Sequence, residues 1–330
     1  MSEPRCTLLR TAAGSTNTVT QYRVFQALGC RVVAADCDPA SVGFHFADAF
    51  RVVPRVADPG YLAAILDLCR QEGVTLFLPA LDEELELFSR HQEAFLAAGT
   101  RVLVSDPGAV ATCLDKLLTY RYFQEAGLPT PHTVAAEAFH KAAFAAYPVI
   151  VKPRAGRGST GVHLARSPEE AAFFCGYVER AVVQERLGGV EYTIDVLAGM
   201  DSEVVILSPR QRLATESGIS SKGVTHWVEA LVAPVRAMVK GLGLVGPLNI
   251  QCFIAPDGAV GFTEINARMA GTAILSQAAG VPYFEGILAL ARGEAPEPWV
   301  RPCEPLVMFR HWEEVFLKAR DFAPLAGARP

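Results

Sequence analysis

Two neighbouring segments near residue 260 carry side chains with the composition of a magnesium site. Both are interpreted as β-strands, and the Pro-Asp-Gly-Ala sequence between them predicts a tight turn closing at residues 256 and 259. That closure pairs Gln251 with Glu264 and Asn249 with Asn266, and alternation along each strand directs these side chains to one face. One carboxylate and three amides offer oxygen donors of low charge, which suit Mg²⁺ that also binds substrate phosphates. A solvated polar position is the ordinary reading of any one residue, but the set, followed by Arg268, favours a functional site.

A glycine-rich segment upstream has the composition of a loop that holds phosphate groups. It follows a short apolar run, Val149–Pro153, and precedes a predicted strand at 162–165, so it joins two strands. This position differs from the strand-to-helix loops of P-loop and dinucleotide-binding motifs. Glycines let backbone N–H groups approach an anion, hydroxyls add donors, and a lysine at the strand end adds a point charge. The candidates are Lys152, Gly156, Gly158, Ser159, Thr160 and Gly161.

The composition argues against several classes of function. The 330 residues are 51% hydrophobic and 20% charged, enough for two or three subdomains with sizeable cores. A net charge of −5 without a run of Lys and Arg predicts no nucleic-acid partner, and no apolar stretch reaches the roughly 20 residues that span a bilayer. The first residues lack the layout of a signal peptide, and the 8 cysteines show no CxxC or zinc spacing. We therefore expect a cytoplasmic protein without a membrane partner.

The N-terminal part of the chain, residues 1–105, alternates between predicted strands and helices. This order favours a parallel, doubly wound α/β domain. Helices are predicted at 18–28 and from Asp58, with Pro59 at the first helical position. The turn after the first strand contains a single glycine, so NAD binding is the less favoured interpretation of this domain. The predicted strands lie at 7–11, 31–36, 74–78 and 102–104.

The remaining chain is predicted to form three parts. Residues 106–135 are interpreted as one helix that continues to about Gly127, followed by a proline-containing linker. Residues 136–200 form a small α+β unit in which Ser167 opens a helix through a capping box. Residues 201–330 complete a larger domain. Its further predicted elements are a strand at 203–209, a loop at 213–225, helices at 228–242 and 283–292, and strands at 306–309 and 315–317.

Three motifs, in this order and spacing, resemble the ATP-grasp superfamily and most closely its carbamoyl-phosphate-synthetase-like ligases. They are VKPRAGRGSTGV at 151–162, VVQERLGGVEYTIDV at 182–196, and GPLNIQCF with FTEINAR between 246 and 268. The resemblance extends from the first strand to about residue 317. Ala267 stands where many relatives have proline, and Met269-Ala270 also departs from the pattern. Both departures lie beside the acceptor site, so the resemblance leaves the substrates open.

The resemblance implies an ATP-grasp fold of α/β and α+β parts. Residues 1–105 would be a doubly wound pre-ATP-grasp domain that helps to form the acceptor pocket. Residues 106–135 would be a helix and linker, 136–200 a small lid subdomain, and 201–330 a C-terminal subdomain with the metal site. The implied cofactors are ATP and Mg²⁺, with two metal ions expected and Mn²⁺ as a substitute.

The resemblance also assigns roles to single residues. Gln251, Glu264 and Asn266 would hold the metal, while Arg268 and Lys152 would act on the transferred phosphoryl group. Without the resemblance, several of the implied nucleotide ligands would be read as exposed charges on strand edges or helices. The implied ligands of phosphates, adenine and ribose are Lys116, Lys152, Gly156, Gly158, Ser159, Thr160, Gly161, Gln184, Glu185, Glu191 and Lys222.

The implied reaction is ligation of a carboxylate to an amine. ATP would phosphorylate the carboxylate, and the amine would displace phosphate from the acyl phosphate, releasing ADP and phosphate. The expected partners are small, amino-acid-like carboxylates and amines, and a homodimer is possible. Three alternatives stay open at this point: an enzyme whose product is the acyl or carboxy phosphate, an NAD-dependent enzyme using the N-terminal domain, and a nucleotide-binding regulator without turnover.

Overall fold

The computed structural model describes residues 6–141, 143–156, 158–216, 218–319 and 322. The chain divides into two compact units, Met1–Leu103 with Phe309–Pro330, and Val104–Met308. Among the described residues, no helix has both the length and the hydrophobicity needed to cross a membrane. The predicted chemistry falls mostly in the second unit, which is therefore described in more detail.

The described part of the first unit contains a five-stranded parallel sheet with the order β3-β2-β1-β4-β5. Its elements are β1 (Cys6–Arg10), α1 (Thr18–Ala27), β2 (Cys30–Asp36), β3 (Ala49–Val52), α2 (Tyr61–Glu72), β4 (Leu76–Leu78), α3 (Asp82–Ser89), α4 (Gln92–Ala97) and β5 (Arg101–Val102). Every residue of β1 is buried, as is typical of a parallel strand covered on both faces. The predicted parallel α/β domain is confirmed, although the sequence analysis misses β3, α3 and α4.

The start of α2 differs from the prediction. The helix begins at Tyr61 and not at Pro59, because the Asp58 carboxylate accepts a hydrogen bond from the Gly60 amide at 2.7 Å. Asp58 thereby forms a turn that precedes the helix rather than capping it. The helix ends at Glu72, and Gly73, which follows it, has the left-handed conformation with φ 62°.

The described residues of the second unit form two sheets. A four-stranded sheet, here the small sheet, has the order β6-β9-β7-β8, and a six-stranded sheet, the large sheet, has the order β14-β13-β10-β11-β12-β15. The helices are α5 (Pro107–Leu114), α6 (Lys116–Glu125), α7 (Pro168–Tyr177), α8 (Val232–Leu242), α9 (Ile274–Ala278) and α10 (Tyr283–Arg292). The strands are β6 (Thr133–Ala135), β7 (Val149–Pro153), β8 (His163–Ala165), β9 (Ala181–Glu185), β10 (Val190–Ala198), β11 (Val204–Glu216), β12 (Ile219–Thr225), β13 (Gly246–Ile254), β14 (Val260–Asn266) and β15 (Val307–Phe309).

The small sheet has an apolar core of its own beneath α7. Val149, Val151 and Val183 contribute the buried side of β7 and β9, and Ala171 contributes that of α7. Ser167 caps α7 by accepting a hydrogen bond from the Glu170 amide at 3.2 Å, as the capping box predicts. β10 belongs to the large sheet, whereas the sequence analysis assigned it to the lid, and the subdomain boundaries after residue 105 remain predictions.

The turn between β13 and β14 is wider than the predicted two-residue turn. Ala255 and Ala259 close it, with the Ala255 amide donating to the Ala259 carbonyl at 2.9 Å. Three residues therefore lie in the loop, and the last of them, Gly258, has φ 87°. A glycine in this left-handed region is typical of three-residue hairpin loops.

A β-bulge then restores the predicted pairing at the polar end of the hairpin. Cys252 pairs with Phe262 while Gln251 pairs with Glu264, so Thr263 is an extra residue. Beyond this bulge the predicted partners, Gln251 with Glu264 and Asn249 with Asn266, are confirmed. The predicted register is thus correct at the site, although the predicted turn is wrong.

Three other predictions are corrected, the first two in this unit and the third in the C-terminal part of the first unit. The single helix predicted from residue 106 to Gly127 is two helices, because Asp115 has extended backbone angles (φ −109°, ψ 110°) and caps α6 through the Leu117 and Leu118 amides. The predicted loop at 213–225 is the β11–β12 hairpin, in which Ala214 pairs with Lys222. The strand predicted at 315–317 is absent, since these described residues have no regular structure, whereas α10 has the predicted bounds.

Candidate functional site

A cavity of about 430 Å³ in the second unit is lined by residues of both sheets. Most of the predicted site residues line it: Lys116, Lys152, Gly156, Gly158, Ser159, Thr160, Gln184, Glu185, Glu191, Gln251 and Glu264. Four predicted residues are not among the lining residues, namely Gly161, Lys222, Asn266 and Arg268. The segment predicted as a loop around Lys222 is strand β12, and Lys222 is exposed on it. Arg157 of the glycine loop lies outside the described residues.

Lys152 and Glu264 connect the small sheet to the large sheet across the cavity. The Lys152 ammonium lies 3.5 Å from a Glu264 carboxylate oxygen, and Lys152 is 7% exposed. Burial lowers the pKa of the Lys152 side chain, the nearby Lys116 adds to this effect, and Glu264 opposes it. A buried cation this far from its carboxylate is incompletely neutralised, which favours an incoming anion at this position.

Lys116 is held over the glycine loop by the residue that precedes it. Asp115 caps α6 and accepts hydrogen bonds from the Arg154 guanidinium, with Nε lying 3.0 Å and Nη2 2.5 Å from the same carboxylate oxygen. The Lys116 amide in turn donates to the Arg154 carbonyl at 2.9 Å, and its Nζ donates to the Gly156 carbonyl at 2.9 Å. Burial raises the pKa of the Asp115 carboxyl, but hydrogen bonds from Arg154 and the α6 amides outweigh it, so the pKa lies below its usual value. The ion pair thereby fixes one lysine of the cavity relative to the strand that carries the other.

The predicted metal ligands are brought together in part. Gln251 and Glu264 line the cavity from β13 and β14. Asn266 donates through its amide nitrogen to the Asn249 amide oxygen at 3.0 Å, so its own amide oxygen is the atom suited to a metal. Within the described residues, no group of three or more His, Cys, Asp or Glu side chains could hold a metal. A cation here would depend on one carboxylate, amide oxygens, water and phosphate, a donor set that fits Mg²⁺.

Arg212 is a cavity residue that the sequence analysis missed. Its Nη1 donates to the Glu191 carboxylate at 2.6 Å, and its Nη2 donates to the Gly218 carbonyl at 2.7 Å. Among the described residues, its buried Nε has no hydrogen-bond partner. Burial raises the pKa of Glu191, with Glu264 adding to this effect and Arg212 opposing it. The Pro-Arg-Gln-Arg sequence of β11 alternates charged residues on one face, and this signal was hidden because the strand was predicted to end at residue 209.

Gly218 brings the β11–β12 turn against the glycine loop. A Cβ atom on Gly218 would lie 2.8 Å from the backbone of Gly158, closer than real Cβ atoms approach. Gly218 also has φ 74°, a backbone angle that residues other than glycine rarely adopt. The turn and the loop therefore meet backbone to backbone at the cavity, and Ser217 of this turn lies outside the described residues.

The predicted adenine contacts lie at the end of β9. Gln184 is 5% exposed and donates to the Thr133 hydroxyl at 2.9 Å, which fixes its amide group. The Glu185 amide donates to the His132 carbonyl at 2.8 Å, and the Glu185 side chain is exposed. Both residues line the cavity at the edge of the small sheet.

Polar side chains continue across one face of the large sheet beyond the cavity. Gln251 pairs with Glu264 on one side and Thr193 on the other, and Thr193 pairs with Arg210. Because partners in an antiparallel pair share a face, these side chains form a row across four strands. The next row contains Asn266, Asn249 and Asp195.

The end of this face distant from the cavity is sealed by the segment after β14. Arg210 donates to Asp195 through Nε at 2.6 Å and Nη2 at 2.7 Å, and the two residues are 1% and 0% exposed. The remaining Nη1 donates to the Thr272 hydroxyl at 2.7 Å, and Ser276 donates to Asp195 at 2.5 Å. The carbonyl of Arg268, in the same segment, accepts a hydrogen bond from the side-chain amide nitrogen of Asn249 at 3.0 Å.

Two family models match the chain. One, described as an ATP-grasp domain, matches residues 113–272. The other, described as a PylC-like N-terminal domain, matches residues 8–103. Together they include all the predicted site residues.

Curated relatives and solved structures agree with these matches. The carbamoyl phosphate synthase large chain of Rubrobacter xylanophilus is 26% identical over 289 residues, covering 82% of this chain but only 27% of that protein. A D-alanine–D-alanine ligase of Thermotoga maritima is 31% identical over 189 residues, which are 51% of this chain and 61% of the ligase. The structure of N5-carboxyaminoimidazole synthetase from Staphylococcus aureus complexed with ADP has a TM-score of 0.72 at 16% identity, over 92% of this chain and 82% of that one. This last likeness shows the fold.

Proposed function

Because this chain belongs to the ATP-grasp superfamily, we propose that it is an ATP- and Mg²⁺-dependent ligase joining a small-molecule carboxylate to an amine. The observation that carries the proposal is that Lys116, Lys152, Gln251 and Glu264 all line the same cavity. Cations for phosphate and oxygen donors for a metal are what phosphoryl transfer from ATP requires. Similarity to a carbamoyl phosphate synthase and to a D-alanine–D-alanine ligase supports this proposal.

In this proposal the phosphates lie between the two lysines and the glycine loop. Lys116 and Lys152 supply point charges, and Gly156, Gly158 and Gly161 allow backbone amides to approach, with the hydroxyls of Ser159 and Thr160 as further donors. Gln184 and Glu185 are assigned to adenine and Glu191 to the ribose. Lys222 is left out, since it is exposed on β12 outside the cavity.

The metal is assigned to Gln251, Glu264 and Asn266, with Mn²⁺ as a substitute for Mg²⁺. When bound, it neutralises charge on the phosphoryl group during transfer. Arg268 follows Asn266 by two residues, and its planar fork suits an anionic acceptor or the transferred phosphoryl group. These residues bind and orient, and no nucleophile from the protein is required.

The proposed reaction has two steps. A carboxylate oxygen of the substrate forms a bond to the γ-phosphorus, the bond from that phosphorus to the bridging oxygen breaks, and ADP leaves. The amine nitrogen then attacks the acyl carbon, phosphate leaves with the oxygen, and the nitrogen loses a proton to solvent or a base. Small-molecule substrates are part of this proposal, as is a homodimer, which light scattering would measure.

The largest functional effect is predicted for Glu264→Gln. Loss of the only carboxylate among the assigned metal ligands should lower turnover by about 10²-fold or more, by analogy with other electrostatic contacts to transition states. The melting temperature should change little, because Glu264 faces the cavity. Turnover is measured as ADP release in a screen of carboxylates with amines.

Four outcomes bear on this proposal. Full turnover by Glu264→Gln would show that Glu264 is not a metal ligand. Hydroxylamine should trap a hydroxamate, which identifies the acyl phosphate. Release of AMP and pyrophosphate would instead show an adenylate and contradict the proposed step, whereas phosphate retained in a stable product would favour an acyl or carboxy phosphate as the product.

A further inference from the structure

The segment from residue 267 to 276, here the Arg268 segment, connects β14 to α9 and has no regular structure before Ile274. Ala267, Met269 and Ala270 are buried at 3%, 4% and 5% exposure, so its backbone lies close against the protein. Arg268 is partly exposed. A short irregular segment has many accessible conformations, and placing one side chain within it therefore needs fixed attachments.

The Arg268 segment is attached to the large sheet at two points. At its start, the side-chain amide nitrogen of Asn249 donates to the Arg268 carbonyl at 3.0 Å. At its end, the Thr272 hydroxyl accepts from Arg210 at 2.7 Å, and the Ser276 hydroxyl donates to Asp195 at 2.5 Å. Both hydroxyl groups are thus bound to one buried ion pair.

This ion pair is poorly explained as a source of stability. Asp195 and Arg210 are 0% and 1% exposed, and removing two charges from water costs about as much as the pairing returns. Their strands already pair through the backbone from Tyr192 to Ala198 of β10. Neither residue lines the cavity. What the pair adds is geometry: two nitrogens of the rigid guanidinium bind Asp195, and the third points at Thr272.

We propose that Asp195 and Arg210 are positioning residues that hold the Arg268 segment, and through it the Arg268 guanidinium, beside the metal-binding end of β14. The proposal rests on the proposed function for the role of Arg268. Because the guanidinium is planar and its fork is engaged with Asp195, the distance from β11 to Thr272 is fixed. Ser276 fixes α9 to the same carboxylate, so both ends of the Arg268 segment keep one position relative to the sheet.

The test removes the two hydroxyl contacts and leaves the ion pair intact. In a Thr272→Val, Ser276→Ala double variant, amide hydrogen exchange across residues 267–273 should rise by about tenfold or more, as for a segment that opens locally. The affinity for MgADP should stay within about threefold, since neither residue lines the cavity. Aluminium fluoride mimics the transferred phosphoryl group and should increase the affinity of the wild-type protein for MgADP. In the double variant, most of this increase should be lost.

Two matched variants control for a loss of stability alone. Thr100→Val removes a buried hydroxyl that donates to Val74 at 2.8 Å in the first unit, and it should change neither exchange in the Arg268 segment nor the aluminium fluoride gain. Thr272→Ser with Ser276→Thr keeps both hydroxyls and should restore both readouts. A merely structural role would not separate the two nucleotide affinities.

Unchanged exchange across residues 267–273 in the hydroxyl-deleted variant would overturn the proposal. The proposal would also be overturned if affinity for MgADP without aluminium fluoride fell as much as affinity with it. Faster exchange in a variant that keeps the full gain in affinity from aluminium fluoride would overturn it as well. If the wild-type protein did not bind MgADP, this result would contradict the proposed function. The exchange comparison, which needs no ligand, would still decide whether the ion pair holds the Arg268 segment.

Discussion

β11 carries two arginines that form ion pairs with carboxylates of β10, but in different surroundings. Arg210 and its partner Asp195 are sealed in the protein at 1% and 0% exposure. Arg212 lies two residues further along the same strand, and its partner Glu191 lines the cavity with 28% of its side chain exposed. Each guanidinium also binds one group outside β10, Thr272 for Arg210 and the Gly218 carbonyl for Arg212.

The difference between the two pairs shows how one polar sheet face can serve two purposes. The sealed pair has all its contacts inside the protein, so it can only specify geometry. The pair in the cavity keeps a carboxylate within reach of solvent, so a ligand can compete for it. Position along the strand, and not residue type, separates the ion pair sealed in the protein from the ion pair that is open to the cavity.

Breaking the sealed pair should have the largest effect on stability. Arg210→Ala leaves the Asp195 carboxylate buried and unpaired, and should reduce the free energy of unfolding by about 3–5 kcal/mol. Arg212→Ala should cost less than half as much, because Glu191 can be hydrated. Urea unfolding of both variants measures the difference, and equal losses would contradict the division of the sheet face.

Breaking the cavity pair should have the larger effect on nucleotide binding. Arg212→Ala leaves the Glu191 charge facing the proposed nucleotide site, and should weaken MgADP by about tenfold, or ~1.4 kcal/mol. Arg212→Lys keeps the charge without the fork and serves as the control for charge alone. Calorimetry that finds MgADP affinity unchanged in Arg212→Ala would place Glu191 and Arg212 outside the binding interaction.

The Asp115–Arg154 pair lies between these extremes and should show a pH signature. The pKa of Asp115 lies below its ordinary value of 3.8, because hydrogen bonds to the carboxylate outweigh burial. Its contribution is therefore complete above that ordinary value, and is lost as the pH falls through the lower value of the folded state.

Comparing the wild-type protein with Asp115→Asn measures this smallest effect. The difference in unfolding free energy should be about 1 kcal/mol at neutral pH, allowing for partial solvent screening, and should vanish in acid. A difference that grows as the pH falls would mean that the pKa is shifted in the opposite direction.

Short-range patterns predicted most of the fold and part of the candidate site. The parallel domain, the strand–glycine loop–strand unit and α10 are each encoded in contiguous residues, and they were predicted. Arg212 was missed because its role depends on β11 continuing past residue 209 beside β10, where Tyr192 pairs with Gln211, and no local pattern reports that pairing. The β11–β12 hairpin was missed for the same reason, so Lys222 was expected on a loop and instead lies exposed on β12, outside the residues that line the cavity.

Local rules also failed where a side chain had two possible hydrogen-bonding roles. Asp58 precedes proline as a helix cap would, yet it binds the Gly60 amide and forms a turn. Asp115 lies within a helical pattern, yet it caps a new helix and binds Arg154. In both cases the competing conformation is set by the side chain and its neighbours in space, and not by periodicity.

The bulge at Thr263 has a consequence for insertions and deletions in related chains. If β14 lacked this one residue, Phe262 would still pair with Cys252 and Glu264 with Gln251, so Glu264 and Asn266 would keep their common face. If Ile265 were missing instead, Asn266 would move opposite Ile250, which is 0% exposed, and leave that face. The hairpin therefore contains one position where a gap in an alignment leaves the register of Glu264 and Asn266 unchanged, close to a position where a gap of the same length would shift it.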